Sequence, residues 1–145
     1  FIDQVLERLQ DIIDTGLAMR NGSPPRRTRR ADLVENAEEL MEAHIAEELT
    51  TDQIAHTLGV SYRVLNYAFR DAYGVSPGRL LRIKKLHRAR RLLRANGSSV
   101  IEVALSVGVN SPSRFASQYQ RLFHELPSET RRSGNGGGVG NSDRL

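Results

Sequence analysis

Two seven-residue stretches of this chain repeat one pattern: Ile54-Ala55-His56-Thr57-Leu58-Gly59-Val60 and Val103-Ala104-Leu105-Ser106-Val107-Gly108-Val109. Each reads apolar, Ala, two variable positions, apolar, Gly, apolar, and the two glycines stand 49 positions apart (108 − 59). A small residue lets a second helix pack close to the first. The glycine four positions later takes the left-handed backbone that turns the chain, and the apolar residue after it plugs the angle between the helices. The pattern therefore predicts two helix-turn-helix units, with Leu65 and Phe69 burying the second helix of one and Phe115 and Tyr119 that of the other. From Gly59 to Leu65 is six residues and from Gly108 to Phe115 is seven, so the second turn is one residue longer. That difference fits two copies adapted to different tasks.

Helix signals surround the repeat, and no stretch alternates as a strand would. A helix over about 31 to 48 would bury Leu33, Val34, Ala37, Leu40, Met41, Ile45 and Leu49. Thr50 with Gln53 and Ser99 with Glu102 read as capping boxes, Ser61 as an N-cap, and Ser76-Pro77 and Ser111-Pro112 as helix starts with proline in the first turn. Gly59, Gly74, the Asn96-Gly97 pair and Gly108 read as stops. Val64, Leu65, Ala68, Phe69 and Tyr73 form the expected apolar side of the helix after Ser61, and Pro127 opens a last short helix. The expected fold is all-α: about seven helices in two helix-turn-helix subdomains joined by a long basic helix, preceded by an N-terminal amphipathic helix. The expected domains are 1–20, amphipathic through Ile2, Val5, Leu6, Leu9, Ile12 and Ile13 and ending a missing upstream domain; 21–30, a Pro/Arg linker; 31–132, the double unit; and 133–145, a disordered Gly-rich tail.

Charge is distributed unevenly. Residues 31 to 49 hold seven acids and no Lys or Arg, whereas 50 to 132 hold 14 basic and 5 acidic residues, a local net of +9 inside an overall +4. Eight bases and no acid fall between 76 and 96. Such asymmetry points to a polyanion on one side of the molecule. With no Cys there is no disulfide scaffold, thiolate metal site or cysteine nucleophile. His44, His56, His87 and His124 form no ligand pattern, so neither a metal nor another cofactor is expected. No phosphate-cradling loop or activated nucleophile appears, and no enzymatic activity is expected. No apolar run reaches the ~20 residues that span a bilayer, so no membrane partner is expected. The chain opens at Phe1 directly into a periodic segment, which predicts a piece of a longer protein.

Residues 31 to 132 resemble the C-terminal DNA-binding domain of the AraC/XylS family of bacterial transcription regulators. The resemblance rests on Gly59-Val-Ser-Tyr-Arg-Val-Leu-Asn-Tyr-Ala-Phe-Arg70, Tyr73-Gly-Val-Ser-Pro77, Arg88-Ala-Arg-Arg-Leu-Leu93, Val107-Gly-Val-Asn-Ser-Pro-Ser-Arg-Phe115 and Pro127-Ser-Glu129. The nearest subgroup is similar to the ethanolamine-operon regulators. Val109 departs from the family's usual Phe and weakens the plug of the second unit, and His124 stands where a Gly commonly ends the last recognition helix. The resemblance implies a double-stranded DNA operator, RNA polymerase as a further partner, an upstream effector-binding or dimerisation domain, and a place in the bacterial cytoplasm at the nucleoid. It also implies recognition helices, about 61–73 and 111–123, held about 34 Å apart in successive major grooves.

On the first recognition helix, setting aside 64, 65, 68 and 69 as buried leaves Tyr62, Arg63, Asn66, Tyr67 and Arg70 facing out. Arg donates twice to guanine and Asn binds adenine with both amide atoms, so Arg63 and Asn66, with Tyr67 beside them, are the expected base readers. Tyr62 is equally readable as a packing residue. On the second helix Ser113, Arg114 and Ser117 face bases. Thr50, Tyr62, Arg70, Lys84, Lys85, Ser111, Gln118 and Arg121 are the expected phosphate contacts. Two other classes compete. A helical protein-interaction or dimerisation module would use the Ile2 to Ile13 stripe and the basic face. DNA-alkylation repair proteins carry a similar helical domain, but their methyl acceptor is a Cys, which this chain lacks.

Overall fold

A computed structural model describes residues 26–95 and 97–135. Among them the chain forms seven helices and no strand: α1 Arg26–Ala43, α2 Thr51–Thr57, α3 Tyr62–Tyr73, α4 Pro77–Ala95, α5 Val100–Ser106, α6 Pro112–Phe123 and α7 Pro127–Asn135. The expected amphipathic helix 1–20, the first half of the linker (21–25) and most of the tail (136–145) lie outside the described residues.

The two repeats fold into the same turn by the same hydrogen bonds. Val60 N–H donates to Ala55 O at 3.0 Å and Gly59 N–H to His56 O at 3.1 Å. In the second copy Val109 donates to Ala104 O and Gly108 to Leu105 O, both at 3.0 Å. These pairs close the last helical turn onto a left-handed residue, and Gly59 and Gly108 supply it with φ of 66° and 67°. Ala55 and Ala104 are buried where the helices cross. Both capping boxes form, and Ser61 and Ser111 cap α3 and α6 by accepting from the N–H groups of Val64 and Arg114.

Two cores result. Val34, Ala37 and Met41 of α1 pack with Ile54, Ala55, Leu65, Ala68, Phe69 and Leu81. Leu86, Ala89 and Leu93 pack with Val103, Ala104, Val107, Phe115 and Tyr119, with Val109 partly buried against them. The connector α4 contributes to both cores, Leu81 to the first and Leu86, Ala89 and Leu93 to the second. α7 covers the second core by laying Gly134 on Arg94, where an added Cβ would stand 2.7 Å from the Arg94 carbonyl oxygen.

The boundaries differ from expectation in three places. Arg26 to Arg30, expected in the linker, begin α1, because arginine favours helix and no breaker intervenes before Ala31. α1 ends at Ala43 and not near 48, and the chain unwinds through His44 to Glu47. Ser133, Gly134 and Asn135, expected in the tail, continue α7, held by the close approach to Arg94. No helix among the described residues is long and apolar enough to cross a membrane.

Candidate nucleic-acid interface

The outward side of α3 carries Tyr62, Arg63, Tyr67 and Arg70, all exposed. Val64, expected in the core, joins them at 50% exposure, because the neighbouring Leu65 fills the inward position completely. Asn66 sits lower than expected. It is half-buried and its Oδ1 lies out of solvent without a hydrogen-bond donor. An adenine contact using both amide atoms needs that oxygen outside, so this rotamer must turn before Asn66 reads a base as expected.

Tyr67 has a neighbour that the linker assignment concealed. The Arg30 guanidinium lies 4.7 Å from the centre of the Tyr67 ring and 3.7 Å from the Asp71 carboxylate. This cation–π contact lies against a ring that stays 57% exposed. No spacing in the sequence links Arg30 to Tyr67; the pairing arises only because α1 extends back past Ala31.

On α6, Ser113, Arg114, Ser117 and Arg121 are exposed and Gln118 is half-buried. Ser113 and Ser117 also touch their own surroundings, Ser113 Oγ standing 3.4 Å from Ser111 Oγ and Ser117 Oγ donating to Arg114 O at 3.5 Å. At the far end His124 takes the left-handed position with φ of 57°, and its N–H donates to Gln120 O at 2.9 Å. Gly74 does the same on α3 with φ of 69°. Thr50 is engaged in its capping box, its N–H donating to Gln53 Oε1 at 2.8 Å.

The two lysines expected at phosphate turn inward. Lys84 Nζ lies 3.3 Å from Glu38 and 3.1 Å from Glu42, joining α4 to the acidic face of α1. Burial works against its charge, but the hydrogen bonds to Glu42 and Glu38 outweigh burial and hold its pKa above the ordinary lysine value. Tyr73, expected in the core, is exposed and completes this cluster by donating to Glu38 at 2.6 Å; that bond raises its pKa. Lys85 is 7% exposed and donates to the Glu47 carbonyl at 2.5 Å. Burial pulls its pKa down. The reason is the packing of α4: its lysines lie against the acidic face of α1 and the unwound segment that follows it. Arg90 is likewise held, 3.0 Å from Glu125 and 4.4 Å from the Phe123 ring centre.

The unwound segment after α1 touches the second turn as well as Lys85. A Cβ on Gly108 would stand 2.4 Å from the Glu47 carbonyl oxygen and 2.9 Å from Lys85 Nζ. Asn110, the one extra residue of the longer second turn, donates through its amide to the Glu48 carboxylate. Lys85, Gly108 and Asn110 thus form a clasp around Glu47 and Glu48 that fixes one unit against the other. No group of three or more side chains suited to a metal ion occurs among the described residues.

Residues 54–133 match the model of a helix-turn-helix domain family, more than half of the chain. The chain belongs to the AraC-type helix-turn-helix family. It is 39% identical over 98 residues to the HTH-type transcriptional regulator ArgR of Pseudomonas aeruginosa, an alignment covering 68% of this chain and 30% of that protein. An AraC-type DNA-binding domain from Chromobacterium violaceum superposes with a TM-score of 0.68 at 35% identity, over 74% of this chain and 96% of its own. The DNA-binding domain of AdpA, a global transcriptional factor solved with a target DNA, superposes with a TM-score of 0.66 at 27% identity over 72% and 93%. The chain spans about a third of the length of the curated relatives it matches.

Proposed function

We propose that this AraC-type domain is the DNA-reading part of a sequence-specific transcription regulator that seats α3 and α6 in successive major grooves of double-stranded DNA. One observation carries the reading: two identically hydrogen-bonded turns present two exposed recognition helices from one shared connector. Arg63 and Tyr67 read bases in one groove, with Asn66 joining after its rotamer turns. Ser113, Arg114 and Ser117 face the other. Tyr62, Arg70, Gln118 and Arg121, with the capped helix starts at Thr50 and Ser111, meet phosphate. Lys84 and Lys85 are left out of that set because the protein occupies them. The serines discriminate bases poorly, so the second half-site is read largely by shape.

The wider reading follows the longer relatives. An upstream effector-binding or dimerisation domain, contact with RNA polymerase, kinship with the ethanolamine-operon regulators and work at the nucleoid in the cytoplasm belong to the whole protein. A pure interaction module is the second reading, favoured by Ile101 and Leu105, which stand exposed one turn apart on α5.

Binding isotherms at several salt concentrations test the proposal. Binding should weaken steeply with salt, and a site enriched from random DNA should be preferred over unrelated DNA by about 10³ or more. Equal affinity for all duplexes would leave only the interaction reading. Arg63→Ala should cost about 1–3 kcal/mol and relax preference at one base position.

A further inference from the structure

The clasp borders a cleft of about 440 Å3 between the two units. Arg82 lines it from α4, Arg114 and Gln118 line it from α6, and Lys85 and Glu48 line it at the clasp. Neither Arg82 nor Arg114 makes a side-chain hydrogen bond or an ion pair with any described residue, whereas Lys85 is spent on Glu47 and Glu48 accepts from Asn110. The cleft therefore keeps two uncommitted guanidinium groups facing one acid that is already hydrogen-bonded.

Arg114 and Gln118 lie one turn apart on the recognition helix, so the cleft adjoins the surface that enters the groove. Two helices seated in successive major grooves leave one minor groove, with the sugar-phosphate strands that border it, facing the protein between them. The cleft lies between the two units, as that stretch of DNA would lie between the two helices. We propose that it seats the backbone of the DNA between the two half-sites and that Arg82 is the connector residue gripping its phosphates, an assignment that rests on the DNA reading above. The clasp sets the width of the cleft. Glycine at 108 lets the second turn come against Glu47, and Lys85 ties that carbonyl to the connector.

The test uses the 145-residue chain, a duplex enriched from random sequence and an unrelated duplex of equal length. Arg82 is exposed, so Arg82→Ala should melt like the wild type. It should bind both duplexes about tenfold more weakly, since one charge-assisted contact is lost. Its log-affinity against log-salt slope should fall by about 0.9, with base preference unchanged. Arg82→Lys should restore most of the slope. Wild-type affinity and slope in Arg82→Ala, beside a changed preference in Arg63→Ala, would overturn the cleft assignment and leave the DNA reading standing. A loss confined to the enriched duplex would make Arg82 a base reader and overturn the phosphate role. A wild type that binds neither duplex overturns both.

Discussion

The two helix-turn-helix units close their turns with the same hydrogen bonds and differ in how tightly those turns are buried and in what the following helices display. Gly59 faces open space, with no atom within 4 Å of where a Cβ would sit, while Gly108 is pressed against the Glu47 carbonyl. α3 ends on Gly74, and α6 ends on His124 in the same left-handed conformation. The first unit's exposed face is built of Tyr, Arg and Val; the second's is Ser and Arg. A turn motif thus fixes local backbone and leaves two choices free: how tightly the turn is buried, and what the following helix displays. The first unit uses the second choice to display an exposed Tyr and Arg face, and the second unit uses the first choice to dock its turn against Glu47.

The comparison breaks most sharply at the glycines. Gly108→Ala should cost about 3 kcal/mol or more, since positive φ strain adds to a backbone clash, whereas Gly59→Ala should cost about 1 kcal/mol from φ alone. Urea unfolding of both variants measures this, and equal losses would mean that the clasp is not rigid. A smaller effect is expected inside the second core. The Tyr119 hydroxyl lies 2.7 Å from Thr130 Oγ1, which itself donates to Glu125 at 2.6 Å, so Tyr119 supplies the proton to Thr130. Tyr119→Phe should cost about 1–2 kcal/mol, and its absence from the first core makes Phe69 the natural control. His124→Gly should raise stability by roughly 0.5–1 kcal/mol: relief of about 1–2 kcal/mol of left-handed strain is partly offset by the extra freedom of unfolded glycine. A drop in melting temperature would show that the His124 ring contributes contacts worth more than the strain.

The smallest effect is in acid. The Thr130 hydroxyl, then Arg90 and Arg94, hold the Glu125 carboxyl below its ordinary 4.5, and the Ser99 N–H and hydroxyl do the same for Glu102. A depressed carboxyl pKa adds stability that is fully present above the unfolded value and is lost as pH falls through the folded one. Both groups belong to the second unit. Melting temperature should therefore begin to fall below about pH 4.5, and Glu125→Gln should flatten part of that fall while lowering stability at neutral pH. An unchanged acid limb in Glu125→Gln would assign the effect to other carboxylates.

Local signals carried most of the fold. The capping boxes at Thr50 and Ser99, the N-caps at Ser61 and Ser111 and the turns at Gly59 and Gly108 involve residues within five positions, and each forms as its sequence indicates. What was hidden depends on contacts across the fold. Lys84 and Lys85 read as solvent-facing in a helix rich in bases, and only the packing of α1 and its unwound end on α4 shows that both are occupied. Val64 and Leu65 are neighbours of similar polarity, so periodicity alone could not say which one the core takes. The extra residue of the second turn was visible as a count, but its partner Glu48 lies 62 positions away.

The connector's membership in both cores has a consequence for how the domain comes apart. Leu81 leaves the first core only if α4 frays, and the same helix carries Leu86, Ala89 and Leu93 for the second. Melting of the whole connector would strip side chains from both cores at once. With one helix serving both, the domain is expected to lose structure in one cooperative step, and a single unfolding transition seen alike by probes in each unit would check it.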